Sequence, residues 1–506
     1  MTKPGITASS KIFIACGTIK MLKEKQMVEN KIGEECAVGF GQAVLTLVSI
    51  ILVIMSGVFY FKYELHVIIL MCVVISCTSA FIANPNFNEI KYGLIQGVNK
   101  AIGAFFIFLL IGVVIGQFMI SGSIATVIYY CLEWIDPNYF LITTFVVASV
   151  MSLSTGTSWG TIGTVGIIFV YLSSLIGIPI AITAGAAVSG ASFGDKMSPV
   201  SDTTNLAAIS TGTNLYDHIK SMMYITGPLY IVLVLVYQLL NYSMSGVTTL
   251  DPQLVSAQIT AIESVFNVGL VPLIPLALLF TLSVMRVSPE PTMLISGIAA
   301  SLIAVFYQGM DSTLVVNSYW SGGNVDTGMK DLDSLFARGG INSMMWTLSL
   351  ALLALAMGGV LDKFGFLKAI ITPVVSRIKR PATLVSFSIL TGSLGIVTMA
   401  EGYLAIMLNG ILFKNAYKEK EIDSSVLSRS TEEGATLFTA LVPWATGGAF
   451  ISNMLGVSVF DYAPYAFLNW MNPLVSILLA YTGYALFRTN NKKNKAIPNR
   501  IYNDRI

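Results

Sequence analysis

The chain is poor in charge. Only 11% of its 506 residues are Asp, Glu, Lys or Arg, and 55% are hydrophobic. A soluble globular domain carries roughly a quarter charged residues, so an ordinary water-soluble protein is excluded. Histidine is scarcer still, at two residues, and a relay built from several imidazoles is not expected. The five cysteines include Cys72 and Cys77 inside one apolar run. They show no disulfide framework or metal-ligand spacing and read as small hydrophobes. The net charge of +2 gives no reason to expect a nucleic-acid partner. No Gly-x-x-x-x-Gly-Lys-Ser/Thr loop is present, which argues against ATP-driven work by this chain alone. Neither a selectivity filter nor a charged ring of a channel appears. The early apolar run Ile12 to Cys16 is too short for the core of a signal peptide. The reading is of a protein that is not an enzyme and needs no cofactor.

Long apolar runs are abundant instead. The clearest are 41–60, 65–84, 101–121, 139–153, 164–182, 223–240, 266–285, 341–361, 384–400 and 466–487. Each is near the ~20 residues that cross a bilayer core. They predict an all-α polytopic membrane protein with about 10–14 membrane segments, embedded in the lipid bilayer of a cell membrane. Lysine and arginine set its orientation. Lys3, Lys11, Lys20, Lys23, Lys25 and Lys31 crowd the start, Arg488, Lys492, Lys493, Lys495, Arg500 and Arg505 the end, and five more lie in 363–380, while none falls between Lys220 and Arg286. By the positive-inside rule the basic segments are cytoplasmic and the loop near 244–265 is outside. The expected division is a cytoplasmic segment 1–37, a first transmembrane repeat 38–243, an extracytoplasmic linker 244–265, a second repeat 266–487 and a basic cytoplasmic tail 488–506.

The two halves resemble each other at an offset of 244 residues. Gly166-Ile-Ile-Phe169 lies over Gly410-Ile-Leu-Phe413, Gly190-Ala-Ser192 over Gly434-Ala-Thr436, and Pro199 over Pro443. The first half starts inside and the second outside, so the sequence predicts two inverted-topology repeats. Broken helices or re-entrant hairpins near the midplane accompany such repeats in secondary transporters, with the binding site at the repeat interface.

Polar residues cluster where the helices are expected to break. Residues 190–205 place Asp195, Lys196, Asp202 and several hydroxyls around Gly194 and Pro199. Charges and broken backbone at membrane depth are tolerated only where they face protein or a cavity. Asp202 stands among Ser201, Thr203 and Asn205, a mixture of one carboxylate and neutral oxygens that suits Na+ in competition with a proton. Asp195 is either a second ion or proton ligand or the partner of Lys196 in a buried pair. Thr157 and Ser158, beside Trp159 and two glycines, form the earlier break and offer further oxygens to a hard cation. In the second half Glu401 lies between two apolar spans; a carboxyl group withdrawn from water can take up and release a proton during transport. Tyr403, Trp444, Thr446, Gly447 and Asn453 complete the expected cavity wall together with Trp159 and Lys196. Glu432 and Glu433 are expected at a helix start, where the dipole favours carboxylates, and neither His66 nor His218 is expected to be central.

Gly156-Thr-Ser-Trp-Gly-Thr161 and Gly190-Ala-Ser-Phe-Gly-Asp-Lys-Met-Ser-Pro-Val-Ser-Asp-Thr-Thr-Asn-Leu-Ala207 closely resemble the NhaC-type Na+/H+ antiporters of the ion-transporter superfamily. Met399-Ala-Glu-Gly-Tyr403 and Val442-Pro-Trp-Ala-Thr-Gly-Gly-Ala-Phe450 fit the same resemblance, which spans roughly residues 40–485. The chain departs from the family's common pattern at Ala445, where Asn is frequent, and at Glu401-Gly402, where an Asp-Gln pair is frequent. The resemblance implies a multi-pass antiporter of the bacterial inner membrane that exchanges Na+ for H+. Relatives that move malate and lactate keep open the alternative of a Na+- or H+-coupled carrier of a small organic acid or amino acid, which would add an organic anion to the partners. A homodimer is compatible with the sequence but not specified by it.

Overall fold

The computed structural model describes residues 38–134, 136–244 and 252–489. The expectations for 1–37, 245–251 and 490–506 lie outside the described residues. Among those described, the regular structure is helical throughout, apart from one isolated bridge between Ile422 and Arg488. Eight helices are long and apolar enough to cross a bilayer, or nine if a bent pair counts as one span. The bent pair is Phe105–Ile120 with Ser123–Trp134, turned by 63°. Gly122 supplies the left-handed residue at that corner (φ +74°). Several site-bearing helices are half-length: ten residues rise only about 15 Å, half of the hydrocarbon core.

Ten helices carry the site and its supports. The first five are α1 (Phe140–Thr155), α2 (Ser158–Ile176), α3 (Ile180–Met197), α4 (Asp202–Thr211) and α5 (Leu215–Ser243). The other five are α6 (Pro381–Met399), α7 (Gly402–Glu419), α8 (Ser424–Gly434), α9 (Thr446–Leu455) and α10 (Phe467–Thr482). Local sequence explains their ends. Gly156 takes the left-handed position that closes α1, a common glycine C-cap. Thr157 then caps α2 by accepting from the Gly160 amide at 3.4 Å. Ser198, extended as residues before proline prefer, ends α3 ahead of Pro199. Ser201 starts α4 as its N-cap, a favoured residue there.

This architecture recurs at the offset read from the sequence. Helices begin at Ser158, Ile180 and Asp202, and 244 residues later at Gly402, Ser424 and Thr446. Left-handed residues at Gly156, Gly177 and Gly212 have counterparts at Ala400 (φ +58°), Glu421 (φ +55°) and Gly456 (φ +67°). The packing recurs as well. A Cβ on Gly190 would sit 2.3 Å from the carbonyl oxygen of Phe145, and one on Gly434 would sit 2.2 Å from that of Ile389. These are the same contact in both halves, α3 on α1 and α8 on α6. Small residues allow this close approach in membranes, where helix association rests on packing rather than on expulsion of water. Two buried apolar clusters support these helices, one drawing on α1–α3 and the other on α6 and α7 with helix Gly340–Lys363.

Candidate ion-binding site

Four helix N-termini converge on one cavity of about 60 Å³, because Ser158, Asp202, Gly402 and Thr446 all lie on its wall. A volume of this size holds a few water molecules. Each N-terminus presents backbone N–H groups and the positive end of a helix dipole. The protein supplies the counter-charge itself. Asp195 accepts from the Ser158 amide at 3.1 Å, from the Ser158 hydroxyl at 2.7 Å and from the Ser201 hydroxyl at 2.6 Å. Asp202 accepts from the Thr203 amide at 2.8 Å and from the Tyr403 hydroxyl. Glu401 caps α7 by accepting from the Tyr403 amide at 3.3 Å. The fourth terminus is closed by a backbone bond, Thr446 N–H to the carbonyl of Ala400 at 3.0 Å. Asp195 and Glu401 are buried, whereas Asp202 is exposed into the cavity. Three carboxylates from both halves thus surround one small space.

The predicted residues separate into two groups. Thr157, Ser158, Trp159, Asp195, Asp202, Thr203, Glu401, Tyr403, Thr446 and Gly447 line the cavity together. Trp159 stacks on Phe108 at 4.5 Å between ring centroids and leans on Phe450 at 5.6 Å, which gives the polar space an aromatic side. Ser201 is wholly buried and holds Asp195 from behind.

The remaining predicted residues do not reach the wall. Asn205 turns its amide back to the carbonyls of Pro199 and Ser201, at 3.0 and 2.7 Å, and serves the break between α3 and α4. Trp444 donates to Val397 at 2.9 Å and Asn453 to Ser343 at 2.8 Å. Both are packing residues that satisfy backbone carbonyls.

Lys196 also departs from expectation. It points away from Asp195 and lies fully buried, 3.8 Å from Glu433. Adjacent residues on a helix are about 100° apart, so Lys196 and Asp195 face different neighbours. Glu432 and Glu433 stand in the last turn of α8, not at a helix start, and are wholly buried.

Ser192, Thr436 and Thr439 are wall residues that the sequence reading missed. The repeat carried a signal for the last two: at the 244-residue offset Thr436 is the counterpart of Ser192, and Thr439 that of Asp195. The second half offers a hydroxyl where the first offers a carboxylate.

A multi-pass helical protein with a small carboxylate-lined cavity between half-length helices has the architecture of an ion-coupled secondary transporter. The profile of the Na+/H+ antiporter family matches residues 37–203 and 190–484. The chain is 32% identical to the Na+/H+ antiporter NhaC of Alkalihalophilus pseudofirmus over 91% of its own length and 99% of that protein. It is 31% identical to the malate-2H+/Na+-lactate antiporter of Bacillus subtilis, covering 81% and 88% of the two chains. It is 28% identical to the arginine/ornithine antiporter ArcD of Halobacterium salinarum, covering 88% and 93%. The chain belongs to the Na+/H+ antiporter family.

Proposed function

We propose that this protein is a secondary active Na+/H+ antiporter of a bacterial inner membrane. The observation that carries the reading is the charge pattern of the cavity. Its wall holds Asp195, Asp202 and Glu401 and no lysine or arginine. The helix N-termini that would greet an organic carboxylate are already engaged by these three side chains and by Ala400. What such a space lacks is positive charge.

The chemistry follows from that deficit. Ionised carboxylates at membrane depth are costly without a partner. Na+ can fill the space with the Asp202 carboxylate as its principal ligand, assisted by Asp195 and by the oxygens of Thr157, Ser158, Thr203 and Thr446. When Na+ leaves, protons on the same carboxylates neutralise them, so either cation satisfies the site but not both at once. Glu401 carries a proton in this scheme. The matched halves act as inverted repeats, with both termini cytoplasmic and the 244–265 linker outside. Rocking of one half against the other exposes the cavity to each side in turn.

Purified protein in liposomes tests the reading. An inward Na+ gradient should drive H+ outward with no organic solute present. Proton movement that begins only when malate, lactate, arginine or ornithine is added would reject it in favour of an organic-substrate carrier.

A further inference from the structure

Two hydroxyls of the cavity wall take no part in the exchange just described. Thr436 and Thr439 form the ends of the short helix Thr436–Thr439 between α8 and α9. Three residues apart, they share one helix face, and both line the ion cavity. Their Oγ1 atoms are shut off from bulk water and have no hydrogen-bond partner on the protein. A threonine on a helix can avoid this by donating to the carbonyl three or four residues earlier. Thr144, Thr164 and Thr398 do so at 2.9, 2.8 and 2.8 Å. Thr436 and Thr439 do not. Thr126, Thr183 and Thr347 also lack a partner, but none of them lies on the cavity wall.

The repeat shows why these two oxygens are left over. At the 244-residue offset Thr439 stands for Asp195, which accepts from the hydroxyls of Ser158 and Ser201. The residues matching those two serines are Gly402 and Ala445, which carry no hydroxyl. Thr436 stands for Ser192, whose hydroxyl accepts from Asn469 at 3.0 Å. The residue matching Asn469 is Ile225, which has nothing to donate. The second half keeps the oxygens and lacks the donors. Thr439 also rests against the turn that begins at Thr446: a Cβ on Gly447 would lie 2.8 Å from its Cγ2 and 3.0 Å from its Oγ1.

A buried hydroxyl without a partner weakens the fold. A cation supplies the missing partner. Hard cations bind through several oxygens at once, and each hydroxyl oxygen has two lone pairs to offer. We propose that Thr436 and Thr439 are Na+ ligands supplied by the second half, so that the ion facing Asp195 and Asp202 is held from both halves. This assignment rests on the Na+/H+ reading above and extends its ligand set.

Binding of radioactive Na+ to purified protein in detergent tests it without transport. Thr436→Val and Thr439→Val keep the shape of the side chain and remove the oxygen. Each should weaken Na+ binding about tenfold, the loss of a neutral dipole that faces a charge. The melting temperature in choline chloride should equal that of the wild type or exceed it, because an unpartnered hydroxyl has gone. Thr439→Ser returns the oxygen and should bind Na+ like the wild type. Threonines with a purely structural role would give the reverse: lower stability in choline and unchanged Na+ affinity.

Wild-type Na+ affinity in well-folded valine variants overturns the assignment, as does a wild-type protein that binds no Na+. If Thr439→Val fails to fold, Thr436→Val and Thr439→Ala carry the same test. Na+-driven proton movement in liposomes judges the antiport reading separately. Exchange by the wild type, with unaltered Na+ binding in the variants, rejects only the two ligands. Weakened Na+ binding in the variants of a protein that exchanges no Na+ for H+ rejects only the antiport reading.

Discussion

Replacing Asp202 by Asn is the most direct probe of the cavity. The amide keeps the shape of the carboxylate, and its oxygen can still accept from Thr203 N–H and the Tyr403 hydroxyl, the two partners of the native side chain. Folding should survive, because Asp202 opens into the cavity and is not packed in a core. What disappears is one negative charge next to the cation. For unit charges ~3 Å apart the attraction runs from about 1.4 kcal/mol in water to about 5.5 kcal/mol at an effective dielectric of 20. The side chain is exposed but confined among buried walls, so an intermediate loss of about 3 kcal/mol applies, or roughly a hundredfold in Na+ affinity. The assay is Na+-driven proton movement in liposomes over a wide range of Na+, with insertion checked by size-exclusion chromatography. The half-saturating Na+ concentration should rise about two orders of magnitude, with residual transport at the highest concentrations. A well-folded variant that retains the wild-type Na+ dependence would refute the assignment and move the principal ligand to Asp195.

Other changes test neighbouring parts of the structure. Glu401→Gln preserves the cap on the Tyr403 amide but removes a titrating group, so transport should persist weakly with a flattened dependence on pH, measured as initial rates from pH 6 to 9. Gly434→Ala would drive a Cβ to 2.2 Å from the Ile389 carbonyl; the loss should exceed about 2 kcal/mol, in the range of overpacked cores, and show as a lower melting temperature in detergent. Lys196→Met leaves Glu433 facing Arg429 alone. Removing one partner from a buried pair costs about 3–5 kcal/mol, and the added substitution Glu433→Gln should recover part of it in a double-mutant cycle. A Lys196→Met protein as stable as wild type would show that Lys196 is not needed to balance Glu433.

Much of this was readable from residue order because its causes are local. Scarce charge and continuous apolar runs of ~20 residues point to helices in a bilayer, since a helix satisfies its own backbone there and barrel strands would show shorter segments of alternating polarity. Gly156-Thr157 encodes a left-handed stop followed by a cap, and Ser198-Pro199 with Ser201 encodes an interruption and a restart. The 244-residue offset placed the same devices in the second half, although Ala400 and Glu421 stand where the first half has glycine, so a search for glycine alone would have missed them. Carboxylates beside such breaks pointed to an ion site, and seven of the eight residues expected to bind the ion either line the cavity or, like Ser201, hold a ligand in place. Asn205, the eighth, was misplaced because an amide near a helix start can equally cap its own backbone.

Only the tertiary structure decided which charges meet. Lys196 follows Asp195 directly in sequence yet pairs with Glu433 on α8, because the turn of α3 points neighbouring side chains at different helices. Asp202 meets Tyr403 from the other half, and His218 meets Glu432 across the interface of α5 with α8. Residue order specifies where a helix starts, stops and turns its faces, since those depend on a few adjacent residues. Which faces come together depends on close packing at contacts such as Gly190 on Phe145 and Gly434 on Ile389, and that packing selects partners hundreds of residues apart.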